Sequence, residues 1–284
     1  MAEGGAAMTR FERPRSVAEA ASLLAAGDWA VLAGGTDLYP AHVGRRIARP
    51  LLDLSRVVGL RGIREGAVGW TIGATTTWSD VIRADLPPLF DGLKAAAREV
   101  GGVQIQNAGT VAGNVCNASP AADGMPALLA LGAEVELQSV VGLRRLPLAA
   151  FVLGSRRTAR RADELVSALH VPARAAGARS VFLKLGGRRY LVISIAMVAA
   201  VIELDAAGRV THAGVAVGSC SAVAQRLPAL EARLVGREAA ALAACVEPGD
   251  LSPLTPIDDV RGSGEFRLDA ALTLLRRALA SFSP

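Results

Sequence analysis

Apolar and polar positions change period repeatedly along the chain, and each change marks an element. Val17 to Ala26 is apolar at helical spacing, with Ser16 placed to cap it and Gly27 to stop it. The short apolar run Trp29 to Ala33 predicts a strand that empties into Gly34-Gly35-Thr36-Asp37, and Leu51 to Leu54 predicts another. Ile63 to Ala74 predicts a hairpin turning near Gly66. Thr77 to Ala84 and Pro87 to Arg98 predict helices, the second with prolines where a first turn tolerates them. Gly101 to Gly124 then loses helical periodicity and is rich in Gly, Asn, Ser and Ala, which predicts a long irregular segment. Met125 to Leu131 resumes as a short helix and Glu134 to Gln138 as a strand.

The second half is more regular. Leu165 to Val171 and Ser180 to Leu185 alternate or run apolar, as strands do. Residues 195–204 and 209–217 flank Asp205-Ala206-Ala207-Gly208, a hairpin loop. Pro228 to Leu234, Glu238 to Val246 and Leu268 to Phe282 predict helices. Periodicity is weakest across Pro172 to Arg179, and a domain boundary is expected there.

Composition narrows the class. At roughly 150 residues per domain, 284 residues suggest two domains. An apolar share of 51% with 20% charged residues is that of a globular chain and excludes wholesale disorder. Aromatics at 4% argue against a stacking platform for single-stranded nucleic acid. The net charge of +5 rests almost wholly on arginine, since Lys94 and Lys184 are the only lysines. That excess suits a phosphate-bearing ligand, although an ordinary solvated surface accounts for it more simply, and no nucleic-acid partner is expected. Cys116, Cys220 and Cys245 are far apart in sequence, so neither a disulfide framework nor a C-x-x-C motif is expected. Met1 to Pro14 has no apolar core of a secretory signal. The longest apolar run, Leu191 to Ile202, falls short of the ~20 residues that span a bilayer, so a cytoplasmic protein without a membrane span is expected.

Several site types are missing. His42, His170 and His212 are isolated, so no zinc helix of the H-E-x-x-H kind exists. There is no G-x-S-x-G elbow and no G-K-[ST] phosphate loop. Gly262-Ser263-Gly264 lacks the third glycine and the preceding strand of a dinucleotide fingerprint. Neither a catalytic acid–base residue nor a metal ligand is expected.

Two glycine-bearing loops remain. Val31 to Leu38 carries Gly34-Gly35-Thr36-Asp37 straight after a strand, where successive backbone N–H groups can cradle an anion; a plain tight turn is the competing reading. Gln104 to Asp123 packs amide and small residues between two helices. A segment of that length must satisfy its backbone, and a large polar ligand would do so.

These residues carry a resemblance. VLAGGTDL (31–38), TIGATTTWSDV (71–81), QIQNAGTVAGNVCNASPAADGMPALLAL (104–131) and FLKLGGRR (182–189) resemble the FAD-binding medium subunit of the molybdenum hydroxylases, the xanthine dehydrogenase and carbon monoxide dehydrogenase family. The resemblance extends to the C-terminal region at 209–234. It implies an α+β fold: an FAD-binding domain of the PCMH type over 1–175, in two subdomains of about 1–57 and 58–175. A small α+β C-terminal domain over 176–284, an antiparallel sheet plus helices, would follow. It implies FAD held by Leu32, Ala33, Gly34, Gly35, Thr36, Asp37 and Leu38 on one side, and by Thr110, Val111, Ala112, Gly113 and Asn114 on the other. Asp123 matches an acid that bonds the adenosine part, Val166 an apolar ring neighbour, Lys184 a lysine near the flavin and Ile193 a side chain against the isoalloxazine. Ala112 stands where glycine is commoner, and Ile193 where tyrosine also occurs. From position alone Lys184 is equally a solvent-facing strand residue.

The resemblance further implies partners: a small subunit with [2Fe-2S] clusters, a large subunit with the molybdenum cofactor, and NAD+ or another final electron acceptor. Two alternatives stand beside it, a self-contained FAD-dependent oxidase and a flavin-free binding module.

Overall fold

The computed structural model describes residues 10–283. Most of the segment searched for a secretory signal, residues 1–9, lies outside the described residues. The architecture is α+β, built on three main sheets.

The first is a small parallel sheet in which Leu51–Asp53 runs between Phe11–Glu12 and Ala30–Leu32. The helix Val17–Ala26 starts where Ser16 accepts the Glu19 N–H. It buries Ala20 and Leu24 in a cluster with Trp29, Leu52, Leu54 and Leu165. The Trp29 indole N–H is satisfied by Leu23 O at 2.7 Å, so the ring is buried without a polar cost.

The second sheet is antiparallel, in the order Ile63–Gly66, Gly69–Gly73, Leu165–Pro172, Glu134–Ser139 and Gly142–Pro147. Trp78–Arg83 begins with a capping box between Thr77 and Asp80, the reciprocal pairing that satisfies two helix-start donors at once. With Asp91–Glu99 and Gly124–Ala130, this helix contributes to the largest core, around Trp78, Phe90 and Leu128.

The third sheet is antiparallel: Arg179–Gly186, Ser194–Leu204, Val210–Gly218 and Gln225–Arg226. Its central strand explains the longest apolar run in the chain. Met197, Ala199 and Val201 enter the large N-terminal core, while Ala196, Val198, Ala200 and Ile202 enter the C-terminal core with the helix Gly264–Ala280. Side chains alternate along a strand, so a strand covered on both faces must be apolar throughout. Among the described residues no helix is long and apolar enough to cross a membrane.

Four expectations need correction. The Gly101–Gly124 segment is not irregular: it folds into Val103–Ala108 and Val111–Asn117 before Gly124–Ala130 begins. The helices within it are too short to repeat an amphipathic pattern, and Thr110 nucleates the second by accepting the Gly113 N–H at 2.9 Å. Glu238 to Val246 is not one helix but two 3-10 turns, Ala239–Ala241 and Ala243–Cys245, with no side-chain cap at either start. Pro87 to Arg98 opens with a 3-10 turn, Pro88–Phe90, ahead of the helix Asp91–Glu99. The last helix starts at Gly264, before Leu268, because Ser263 accepts the Phe266 N–H.

Candidate functional site

A cleft of about 680 Å³ opens between the first and second sheets. That size is in the range of small-molecule and cofactor sites, roughly 300–1,000 Å³. One wall is the loop that follows the strand Ala30–Leu32, and the facing wall is Gly109 to Asn117.

The two walls touch at a glycine. A Cβ built on Gly34 would stand 1.9 Å from Ala108 O, so any side chain there would force the loops apart. Gly35 has φ +69°, in the left-handed region, and a Cβ on it would meet the Tyr39 ring at 2.6 Å. Beyond the turn, the N–H groups of Gly34 to Leu38 have no protein acceptor among the described residues. Successive free N–H groups in a turn attract an anion. Across the cleft, Asn114 stands in the wall, with its Oδ1 buried and unpartnered beside Gly124.

Polar side chains tie the walls at one end. Asn117 Nδ2 donates to Asp37 Oδ1 at 2.7 Å, and Arg156 donates to Asn117 Oδ1. Arg160 donates to Glu164 O at 2.7 Å, beside the start of the strand that carries Leu165 and Val166. Glu164 itself is buried and takes a two-point bond from Arg144, at 2.6 and 2.8 Å. Burial alone would raise this carboxyl, but Arg144 and the Arg161 N–H outweigh it and hold Glu164 below the usual carboxylate range.

Asp123 forms part of the cleft wall and is 8% exposed. Its Oδ1 accepts from Ser194 Oγ at 2.5 Å and its Oδ2 from Lys184 Nζ at 2.9 Å. Burial pushes its pKa up, and Lys184 and Ser194 offset that only in part. Cys116 also lines the cleft; burial lifts its thiol to about 11, with Arg160 pulling weakly the other way.

Of the residues singled out in the sequence, Leu32, Ala33, Gly34, Gly35, Thr36, Asp37 and Leu38 come together in the first wall. Thr110, Ala112, Gly113 and Asn114 stand in the second, and Asp123 and Val166 close the cleft. Three stand elsewhere. Val111 turns its side chain into the core and gives its N–H to Thr76 O at 2.9 Å. Lys184 sits behind Asp123 and not in the wall. Ile193 is 52% exposed and outside the cleft lining. Trp29, Arg49, Asn117, Arg156, Arg160 and Glu164 line the cleft without having been singled out. The arginine run at 156–161 was the available signal for two of them, lost in a chain whose positive charge is arginine throughout.

Among the described residues no group of three His, Cys, Asp or Glu side chains could hold a metal ion. The arrangement is suited to gripping an elongated, phosphate-bearing ligand.

Comparison with known proteins agrees with that geometry. Residues 7–174 match the family model described as the FAD binding domain in molybdopterin dehydrogenase. Residues 182–282 match the CO dehydrogenase flavoprotein C-terminal domain. The chain is 31% identical to the carbon monoxide dehydrogenase medium chain of Hydrogenophaga pseudoflava, over 95% of this chain and 96% of the relative. It is 30% identical to the nicotine 6-hydroxylase medium subunit of Paenarthrobacter nicotinovorans, over 95% of each. A solved carbon monoxide dehydrogenase from Hydrogenophaga pseudoflava, lacking the Mo-pyranopterin moiety of the molybdenum cofactor, superposes with a TM-score of 0.84 at 30% identity, covering 95% of this chain and 96% of that one.

Proposed function

The chain belongs to the family of FAD-binding medium subunits of the molybdenum hydroxylases, and from that membership we propose that it relays electrons from an iron–sulfur partner to an external acceptor. It carries the family's FAD-binding domain. In this reading 1–175 is the FAD-binding unit, divided near 57, and 176–284 the C-terminal unit.

The cleft fits FAD on its own chemistry. The free N–H groups of Gly34 to Asp37 would hold the pyrophosphate without a lysine, and Thr36 would add a hydroxyl. Asp123 would accept from a cofactor hydroxyl while Lys184, from behind, neutralises it. Val166 supplies an apolar wall. Flavin, when bound, supplies the redox chemistry; the chain binds and orients it and sets the field around it. The observation that carries the reading is the close backbone approach of Gly34 to Ala108, which brings two loops into one cradle with its N–H groups free.

The relatives' names refer to carbon monoxide and to nicotine. A xanthine dehydrogenase-type enzyme is one further member of the class, and the substrate is set by the large molybdenum subunit. NAD+ is one candidate acceptor. The three free cysteines support a reducing, cytoplasmic location.

The test mixes the FAD-loaded chain with a reduced small subunit in a stopped flow. Flavin bleaching faster than with a free reduced dye supports the relay; an equal rate overturns it. Turnover of an N-heterocycle, an aldehyde or carbon monoxide by the isolated chain would make it a self-contained oxidase instead.

A further inference from the structure

Two residues of the C-terminal sheet reach into the turn that carries Asp123. Ser194, buried at the first position of the strand Ser194–Leu204, donates its hydroxyl to Asp123 Oδ1 at 2.5 Å. Ser219, just past the neighbouring strand and in the left-handed region at φ +63°, donates its N–H to Pro120 O at 3.2 Å. One side chain holds the backbone of Ser219 and of Ile195, the residue after Ser194. Arg267, 3% exposed on the last helix, places Nη1 on Ile195 O at 2.6 Å and on Ser219 O at 3.1 Å. Its Nη2 is held by Asp259 Oδ1 at 2.7 Å and its Nε by Ile257 O at 3.1 Å. The guanidinium therefore fixes the backbone beside Ser194 and at Ser219, and through them the cleft wall.

We propose that Ser194 is a positioning residue for the cofactor, holding the Asp123 carboxylate in the cleft wall from a strand that Arg267 anchors. The C-terminal sheet thus sets the geometry of a site whose cradle lies wholly in the N-terminal part of the chain. Asp123 has a second support, Lys184, which supplies charge; Ser194 supplies direction. Lys184 belongs to the adjacent strand Arg179–Gly186, whose register with the Ser194 strand shifts between Leu185 and Gly186. Both supports thus come from one pair of strands. The proposal rests on the reading that FAD occupies the cleft.

The experiment is a double-mutant cycle on the full chain, read by FAD titration and by melting of the apoprotein. Ser194→Ala is expected to weaken FAD binding about tenfold, the scale of one hydrogen bond to a charged group. In an Asp123→Ala background the same substitution is expected to change affinity less than about twofold, because the group it positions is gone. Arg267→Met should also weaken FAD binding, and its loss should likewise shrink in the Asp123→Ala background. Should that variant fail to fold, the Ser194–Asp123 cycle decides alone. Equal affinity losses in both backgrounds, or none in either, would overturn the positioning role while leaving FAD binding intact. A wild-type chain that binds no FAD would overturn the occupancy reading and the proposal with it.

Discussion

Lys184 Nζ lies 2.9 Å from Asp123 Oδ2 and 4.0 Å from Glu99 Oε2, so a single ammonium answers two carboxylates behind the cleft wall. The Lys184 and Asp123 side chains are nearly buried, at 7% and 10% exposure. Arginine would be the default cation in this chain, but a planar fork is harder to fit between two carboxylates than a compact ammonium.

Lys184→Met should therefore destabilise the apoprotein by about 3–5 kcal/mol at neutral pH, the scale for stranding one member of a buried pair. Asp123 already has its pKa raised by burial, against the pull of Lys184 and Ser194. A carboxyl raised above its unfolded value costs stability where it is ionised, and the cost is relieved as pH falls through the folded pKa. Without Lys184 that relief should grow, so the loss should shrink between neutral and mildly acidic pH. Urea unfolding across a pH series measures it. A loss independent of pH would mean that the pair contributes packing and not charge.

Gly34→Ala and Gly35→Val should fail in different ways. Alanine at 34 puts a methyl 1.9 Å from Ala108 O, backbone that cannot rotate away, so the walls must separate. Valine at 35 is strained by φ +69° and collides with the flexible Tyr39 ring. Both should reduce FAD affinity by at least about a hundredfold, a loss of roughly 3 kcal/mol, while near-native far-UV circular dichroism is kept. Pairing Gly35→Val with Tyr39→Ala should recover little, since the backbone strain remains. Full recovery would assign the defect to the ring alone.

Much of the fold could be read in the chain because its punctuation is local. Ser16 caps where expected, and the hairpin of Ile63–Gly66 and Gly69–Gly73 turns beside Gly66. What escaped depends on tertiary partners. Gly142–Pro147 carries two arginines and a proline and does not read as a strand. It pairs along the sheet edge with Glu134–Ser139, and Arg144 is held there by Glu164, twenty residues on. The cleft was legible in its glycine-bearing loops, and Asp123 only through the family resemblance. Arg156, Arg160 and Glu164 were not, because their place in the wall comes from the two-stranded turn Val152–Gly154 and Arg157–Thr158. Val111 marks the converse: its place in the loop brought it to the cleft, but its side chain is buried in the core.

Glu164 gives an acid-stability prediction of opposite sign to Asp123. Although burial works against it, Arg144 and the Arg161 N–H depress its folded pKa. A depressed carboxyl contributes stability that is present above the unfolded value, about 4.3 for Glu, and lost as pH falls through the folded one. Glu164→Gln should lower the melting temperature at neutral pH and flatten the decline below about pH 4. Differential scanning calorimetry from neutral to acid compares the two limbs. Parallel curves for variant and wild type would show that the ionised form contributes nothing specific.

The cofactor is expected to be held without a covalent bond. Among the described residues Cys116 is the one cysteine in the cleft wall, so it is the candidate for a thioether link to a flavin. Thiolate is the reactive form, and burial lifts this thiol to about 11, with Arg160 offsetting it only weakly. At neutral pH the ionised fraction is then on the order of one in ten thousand, too small to support ready addition. The FAD should therefore be held noncovalently: acid precipitation should leave the yellow colour in the supernatant. Cys116→Ser should load FAD to the same stoichiometry as wild type. Colour that stays with the wild-type pellet but not with the Cys116→Ser pellet would reveal a covalent bond to that sulfur. In that case the thiol must ionise far more readily in the loaded protein than its buried surroundings imply.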